Sequence, residues 1–122
     1  MIRKIYKFGG ASVKDADAVR NLKSIIEKEN REDLMLVISA MGKTTNAIEK
    51  VLADFRKNNG HLEITALSEI IGFHENIMID LFDGNISHPV FEVMTNLFLD
   101  LYLNLQETGF DYDYQYDNTV SF

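Results

Sequence analysis

The sequence contains no cysteine, no tryptophan and a single proline among its 122 residues. The absence of cysteine excludes a disulfide framework, a thiolate nucleophile and any metal site built on cysteine. The sequence also lacks an apolar run near the roughly 18 residues that a membrane-spanning helix needs, and it has no apolar signal-peptide core at its start. We therefore expect a soluble, cytoplasmic protein with no membrane partner.

Basic residues are absent from the second half of the sequence. All 12 lysine and arginine residues lie between Arg3 and Lys57, whereas residues 58–122 carry eleven acidic side chains and no basic one. The net charge of −7 argues against a nucleic-acid partner. One interpretation of this asymmetry is that the first half binds anionic ligands while the acidic half packs against a positively charged surface. The other is that the charged residues only form solvated helix faces.

The remaining composition is that of a globular protein. Hydrophobic residues make up 46% of the chain and charged residues 25%, which is not the composition of a disordered segment. The length predicts one domain large enough to bury a core, or a part of a longer protein.

Residues 7–12, Lys-Phe-Gly-Gly-Ala-Ser, separate a predicted strand over residues 2–8 from a predicted helix. Ser12 or Asp15 can cap that helix. Two adjacent glycines permit positive φ angles and let a ligand approach the backbone amides. With the helix N-terminus and the charge of Lys7, they predict an anion site. A glycine turn that serves only tight packing is the alternative.

A second strand is predicted over Leu34–Ile38, after a helix that ends near Asn30. The continuous apolar run favours a strand buried on both faces of a parallel sheet. Strand, helix and strand form a βαβ unit with a right-handed crossover. Residues 39–46 then follow the end of the second strand. Because ligands of open α/β sheets bind beyond the carboxyl ends of the strands, we expect this loop and the glycine turn to line one crevice.

The rest of the chain is predicted to be mainly helical. The predicted helices cover residues 48–57, 62–82 and 89–106, with Asn58-Asn59-Gly60, Asp83-Gly84-Asn85 and Pro89 at their boundaries. The last two helices are expected to pair as a hairpin on one side of the sheet. Residues 110–122 alternate tyrosine with acidic or amide residues, which favours a strand or a loop of stacked tyrosines. Two strands are too few for an independent parallel sheet, so we expect additional strands or a longer polypeptide.

Three familiar motifs are incomplete. Gly42-Lys43-Thr44 matches the end of the phosphate-binding loop GxxxxGK[ST], but Val37 stands where that pattern begins with glycine. Gly9-Gly10 does not complete the GxGxxG motif, so a dinucleotide-binding fold is not predicted. His74-Glu75 lacks the second histidine of HExxH, so His74 is interpreted as a core or interface residue. Neither a metal site nor a Ser-His-Asp triad is predicted.

Taken together, the two loops resemble a known family. Residues 7–13, Lys-Phe-Gly-Gly-Ala-Ser-Val, resemble the KFGGTSV signature of aspartate kinases, and Val37-Ile38-Ser39-Ala40 with Thr45-Asn46 resembles their segment VSAxxxxTN. The resemblance implies the amino-acid kinase fold, a three-layer α/β/α sandwich. Residues 1–122 would be its N-terminal, amino-acid lobe, helix-rich with few strands. The ATP lobe and the regulatory ACT domains would lie outside this chain.

The resemblance also implies roles for the glycine turn. Lys7 would be the catalytic lysine that contacts the transferred phosphoryl group, and Gly9, Gly10 and Ser12 would hold the phosphates of ATP. Ala11 stands where the family usually has threonine. This difference removes a hydroxyl but no backbone donor, so weaker phosphate binding is the expected consequence.

The second loop would bind the amino-acid substrate. By resemblance, Ser39 and Thr45 contact L-aspartate. The family's glutamate that receives the aspartate amino group follows the stretch matching residues 120–122, and we expect it to lie outside this chain, together with the adenine pocket. The rest of the polypeptide is therefore an expected partner, as is a second copy in a homo-oligomer of the full-length protein.

The implied reaction uses ATP and Mg²⁺ to phosphorylate the side-chain carboxylate of L-aspartate, giving 4-phospho-L-aspartate, the first step of lysine, threonine and methionine biosynthesis. We expect the 122-residue chain alone to be inactive. One alternative is a kinase of the same fold acting on glutamate, acetylglutamate, carbamate or a nucleoside monophosphate, which would share Lys7 but would not predict Ser39 with Thr45. Another is a non-catalytic binding module, which would be a stable monomer with no exposed apolar face.

Overall fold

The computed structural model describes residues 1–60, 64–106 and 112–120, and of Ile64 and Tyr112 the backbone. Two compact units are present, Met1–Thr44 and Thr45–Phe122. The first contains a small parallel sheet and the second is helical in its described part, so the α/β fold class is confirmed.

The first unit is a βαβ arrangement, as predicted. Its elements are strand β1 (Lys4–Phe8), a 3₁₀ turn (Gly10–Val13), helix α1 (Ala16–Glu27), a 3₁₀ turn (Arg31–Asp33) and strand β2 (Leu34–Ile38). The strands pair in parallel, with Lys4 opposite Leu34 and Phe8 opposite Ile38. The sheet is thus in register over the whole length of both strands, and their carboxyl ends lie side by side.

Helix α1 begins at a side-chain cap. Asp15 has an extended backbone, and its carboxylate accepts a 2.8 Å hydrogen bond from the amide of Ala18, which satisfies one of the orphan donors of the first turn. The apolar face of α1 packs on β1, where Phe8, Val13 and Leu22 form the buried core of the unit. One of the two predicted caps, Asp15, is therefore confirmed, although α1 ends at Glu27, before Asn30.

The prediction that β2 is buried on both faces is wrong for the described chain. Met35, Val37 and Ile38 are 42%, 46% and 52% exposed. Helix α1 packs on the side of the sheet that carries Tyr6 and Phe8, and the unit Met1–Thr44 supplies no layer of its own for the opposite side, where Ile5 is 65% exposed. An apolar run shows that both faces of a strand are suited to burial, but each face is buried only where another layer of secondary structure packs on it.

The second unit consists of four helices in the described residues. They are α2 (Thr44–Lys57), whose first residue closes the first unit, α3 (Ile64–Leu81), α4 (Pro89–Gln106) and α5 (Tyr112–Val120). The buried core includes Leu52, Leu67 and Leu105, contributed by three of these helices. Positive φ angles of 56° at Asn59 and 82° at Gly60 end α2, and Pro89 begins α4, both as predicted.

Helix α5 corrects the interpretation of the tyrosine-rich segment as a strand or a loop. Gln115 and Thr119, one helical turn apart, are both buried. Arg56 of α2 donates a 2.6 Å hydrogen bond to the Gln115 side chain, and the Tyr116 hydroxyl donates to Glu49. Helical spacing brings these groups onto one face against α2, and that packing outweighs the alternating pattern. Residues 110–111 and 121–122 of this prediction lie outside the described residues.

His74 is a core residue, as interpreted. It is 8% exposed, its Nδ1 lies 2.8 Å from the carbonyl oxygen of Ile70, and the rings of Phe73 and Phe98 contact it edge-on.

Of the helices in the described ranges, none combines the length and apolar character needed to span a membrane.

Candidate functional site

The glycine turn and the loop after β2 meet at the carboxyl ends of the two strands. The amide of Ser39 donates a 2.9 Å hydrogen bond to the carbonyl of Phe8, which extends the strand pairing by one step. The amide of Gly42 then donates a 3.1 Å hydrogen bond to the carbonyl of Gly10. The predicted convergence of the two loops is confirmed, and backbone hydrogen bonds hold it in place.

Gly10 allows this close approach. A Cβ atom at position 10 would lie 2.3 Å from the carbonyl oxygen of Gly42, closer than any real Cβ contact. Gly9 differs, since a Cβ there would meet no atom within 4 Å and its φ is −75°. The positive φ angles that the glycine pair permits are not adopted, and the positive angle in this region is the 58° of Gly42. The role of Gly42 was not predicted, and the available signal was a glycine soon after the second strand.

The backbone of the glycine turn presents amide donors. Within the described chain, the amides of Gly9, Gly10 and Ala11 donate no hydrogen bond to protein, whereas Ser12 donates a 3.0 Å bond to the Gly9 carbonyl. Gly9 and Ala11 are exposed, so their amides are open to water or a ligand. Helix α1 does not follow directly, as its N-terminus is separated from the turn and capped by Asp15. The α1 dipole is therefore not at the turn, and the donors that the turn offers are its own amides.

Two lysines provide the positive charge near these loops. Lys7 lies in β1 on the face opposite Tyr6 and Phe8, because side chains alternate along a strand. Lys43 lies in the loop after β2. Both are exposed, and neither forms an ion pair with the described part of the chain. Unpaired ammonium groups beside free amides suit a polyanionic ligand.

The hydroxyl groups of the two loops differ in availability. Ser12 and Ser39 are exposed, Ser39 immediately after β2. Thr44 is buried, and its hydroxyl donates a 2.5 Å hydrogen bond to the carbonyl of Met41, which closes the turn that begins α2. Thr45 is exposed in the first turn of α2 and belongs to the second unit. Its proposed contact with a substrate stays a prediction.

A charged cluster at the opposite end of β1 was not found in the sequence. The Nζ of Lys4 and the hydroxyl of Tyr6 each donate a 2.6 Å hydrogen bond to the carboxylate of Glu29. Glu29 lies just after the end of α1. Hydrogen bonds from Lys4 and then from Tyr6 lower the pKa of Glu29, and the same bonds raise the pKa of Lys4 and of Tyr6. The spacing of two residues that places both on one strand face was the available signal. This cluster fastens α1 to the sheet that carries the two loops.

The hydrogen-bond donors in the two loops are ammonium groups, hydroxyls and backbone amides. The described residues contain no group of three or more histidine, cysteine or carboxylate side chains that could hold a metal ion. Mg²⁺ in phosphoryl transfer is commonly held by substrate phosphates and one or two carboxylates, so a dedicated protein cage is not what such a site needs. The amides and lysines are donors of the kind that phosphate oxygens accept from.

No protein-family model matches the chain. A bifunctional aspartokinase/homoserine dehydrogenase of Buchnera aphidicola subsp. Acyrthosiphon pisum is 39% identical over 69 residues, covering 56% of this chain and 8% of that protein. Bifunctional aspartokinase/homoserine dehydrogenase 1, chloroplastic, of Arabidopsis thaliana is 28% identical over 83 residues, 66% of this chain and 9% of that protein. The chain thus spans under a tenth of these relatives and is similar, over part of its own length, to bifunctional aspartokinase/homoserine dehydrogenases.

Proposed function

We propose that this chain supplies the phosphate-binding and aspartate-binding loops of an aspartate kinase, within the N-terminal lobe of an amino-acid kinase fold. Two independent findings support the proposal. The relatives' names include aspartokinase, and the parallel βαβ unit carries two converging loops at the carboxyl ends of its strands.

The observation that carries the proposal is the contact between Gly10 and Gly42. A Cβ atom on Gly10 would lie 2.3 Å from the Gly42 carbonyl oxygen, so only glycine allows the two loops to meet here. In the same turn the amides of Gly9 and Ala11, both exposed residues, donate to no protein acceptor in the described chain. Unpartnered backbone amides of successive turn residues are a common way to bind phosphate oxygens. The exposed ammonium of Lys7, in the strand that leads into the turn, adds the charge that a polyphosphate requires.

The reaction would be an in-line phosphoryl transfer. A side-chain carboxylate oxygen of L-aspartate forms a bond to the γ-phosphorus of ATP while the bond from that phosphorus to the β,γ-bridging oxygen breaks. ADP and 4-phospho-L-aspartate are the products. Phosphoryl transfer depends on positioning and on neutralising charge, more than on a covalent role for protein.

Each proposed residue has a task in that scheme. The amides of Gly9 and Gly10 and the hydroxyl of Ser12 would hold phosphate oxygens, and Lys7 would neutralise charge that develops on the transferred group. Bound Mg²⁺ would supply further charge neutralisation on the phosphates. Ser39 and Thr45 would orient L-aspartate so that its side-chain carboxylate approaches the phosphorus. Ala11 would contribute its amide alone.

The complete reaction is assigned to a longer protein, since the chain spans only 8% to 9% of its relatives. The test is coupled ADP release with Mg-ATP and L-aspartate, run on the full-length protein and on residues 1–122 separately. Activity only in the longer protein supports the proposal. Turnover by the 122-residue chain alone would contradict its assignment as one lobe, and no turnover in either would contradict the kinase function.

The same assay separates this function from its rivals. Preference for glutamate, acetylglutamate, carbamate or a nucleoside monophosphate would identify another kinase of the same fold. The non-catalytic module was expected to expose no apolar face, a condition that the described sheet does not meet, with Ile5 65% and Val37 46% exposed. Light scattering and hydrogen exchange on the isolated chain test that alternative directly.

A further inference from the structure

A groove of about 260 Å³ lies between α3 and α4 in the second unit. Its lining on α3 extends from Leu67 to Met78, about 16 Å or three helical turns at 1.5 Å per residue. The lining on α4 covers a similar length, from Phe91 to Tyr102. A channel of this length matches the side of an amphipathic helix.

The groove is lined by adaptable apolar side chains. Among its lining residues, Leu67 and Met78 are 5% and 6% exposed, whereas Leu99 is 52% exposed. Met94, Phe91 and Phe98 line the wall. Methionine and aromatic side chains are enriched at surfaces that receive apolar anchors of a partner, because they repack at small cost.

The acidic residues around the groove favour a positively charged partner. Glu75 is the one charged residue among those that line it, and α3, α4 and α5 carry acidic residues but no lysine or arginine. A second copy that docked through the same face would bring carboxylates against carboxylates, which opposes association. A partner with an apolar stripe flanked by lysine or arginine satisfies both the groove and its charge.

We propose that the α3–α4 groove binds an amphipathic helix whose apolar stripe is flanked by basic residues. The apolar side chains of that helix occupy the channel above Leu67 and Met78, and a basic side chain pairs with Glu75. This inference stands apart from the kinase proposal, because the groove contains none of the residues proposed to bind ATP or L-aspartate.

The probe is a synthetic peptide of about 14 residues, roughly four helical turns, with leucine at helical spacing and lysine elsewhere. Its counterpart has glutamate in place of lysine. Fluorescence anisotropy with the 122-residue chain should show saturable binding of the leucine–lysine peptide and none of the leucine–glutamate peptide. Equal binding of both peptides, or of neither, would overturn the proposal.

Matched variants locate the site on the chain. Leu99→Thr should weaken binding about tenfold, since a leucine contact is lost, whereas Leu103→Thr, also 52% exposed on α4 but outside the groove, should leave binding unchanged. Glu75→Gln should weaken binding and reduce its salt dependence, and Glu69→Gln on the same helix should do neither. Equal effects within either pair would refute the proposed site.

A measurement without variants covers the case in which one of them fails to fold. With ¹³C-labelled methionine methyl groups, the leucine–lysine peptide should shift the resonances of Met78 and Met94 and leave Met35 and Met41 of the first unit unchanged. Shifts confined to the first unit would overturn the proposal. Sedimentation that shows a dimer broken by Leu99→Thr but not by Leu103→Thr would identify a second copy as the occupant instead.

Discussion

The amide of Gly42 donates a 3.1 Å hydrogen bond to the carbonyl of Gly10, and a Cβ atom on Gly10 would lie 2.3 Å from the carbonyl oxygen of Gly42. Two loops that are about thirty residues apart in the sequence are thereby held in direct backbone contact. Because both partners are main-chain groups, neither can move aside as a flexible side chain would.

Gly10→Ala should separate the loops. The added methyl group meets a backbone oxygen, so we expect a loss of about 1 to 3 kcal/mol in the free energy of unfolding, measured with urea. Nucleotide binding should weaken at the same time. Gly9→Ala is the matched control, since the structure leaves 4 Å of open space around its Cβ position. Similar losses in both variants would show that the contact with Gly42 is not the cause.

Lys7→Met should affect catalysis and not folding. The ammonium is exposed and has no ion-pair partner in the described chain, so thermal unfolding should be unchanged. In the full-length protein, we expect kcat/KM for ATP and aspartate to fall about 100-fold or more, as when one charge-stabilising donor is removed. Lys50→Met, exposed on α2, removes the same charge and should retain activity. Full activity in Lys7→Met would refute the catalytic role.

Glu29→Gln should flatten the acid limb of the stability profile. Hydrogen bonds from Lys4 and Tyr6 hold the pKa of Glu29 below its ordinary value of 4.5, so its stabilisation is present above that value and is lost as the pH falls through the folded-state pKa. Thermal unfolding midpoints measured from neutral to acidic pH should therefore fall less in Glu29→Gln than in the natural sequence. Glu27→Gln, whose carboxylate lies 3.7 Å from Lys23 at the surface, should keep the original profile.

The alkaline limb has the opposite sign. The pKa of Lys4 and of Tyr6 is raised above 10.5 and 10.0, respectively, by the hydrogen bonds to Glu29. Their stabilisation is complete below those ordinary values and is lost as the pH rises through the folded-state pKa. Tyr6→Phe, which keeps the ring, should lose part of this alkaline dependence in the same melting experiment. An unchanged profile would show that the cluster does not contribute to stability.

Thr119→Val should stabilise the chain. The Thr119 hydroxyl is fully buried and has no hydrogen-bond partner in the described residues, so replacing it with a methyl group should add about 1 kcal/mol to the free energy of unfolding. Thr44→Val is the informative comparison, because the Thr44 hydroxyl donates to Met41 and its loss should destabilise. Destabilisation by Thr119→Val would indicate that its hydroxyl has a partner in solution.

Local sequence predicts much of the first unit. Both strands, the Asp15 cap and the meeting of the two loops follow from short-range patterns and from the geometry of parallel strands. The glycine pair also indicated a close backbone approach, although not which glycine is needed. That distinction depends on Gly42, a residue whose position relative to the turn is defined only once the strands are paired.

Helix α5 shows where local pattern fails. Tyr112, Tyr114 and Tyr116 alternate as in a strand, yet the segment is helical because Gln115 and Thr119 pack one turn apart and Gln115 meets Arg56 of α2. That hydrogen bond joins residues far apart in the sequence. A window of neighbouring residues contains no information about such a partner.

The amino-acid sequence by itself determined the βαβ order, the helix boundaries at Asn59, Gly60 and Pro89, and the glycine turn beside Lys7, because these depend on backbone preferences of a few adjacent residues. Tertiary structure alone decided that β2 is exposed, that Gly10 and not Gly9 is sterically required, and that Lys4, Tyr6 and Glu29 form one cluster. The reason is physical: burial, close approach and charge pairing depend on which distant segments pack together, and local preference does not specify those segments.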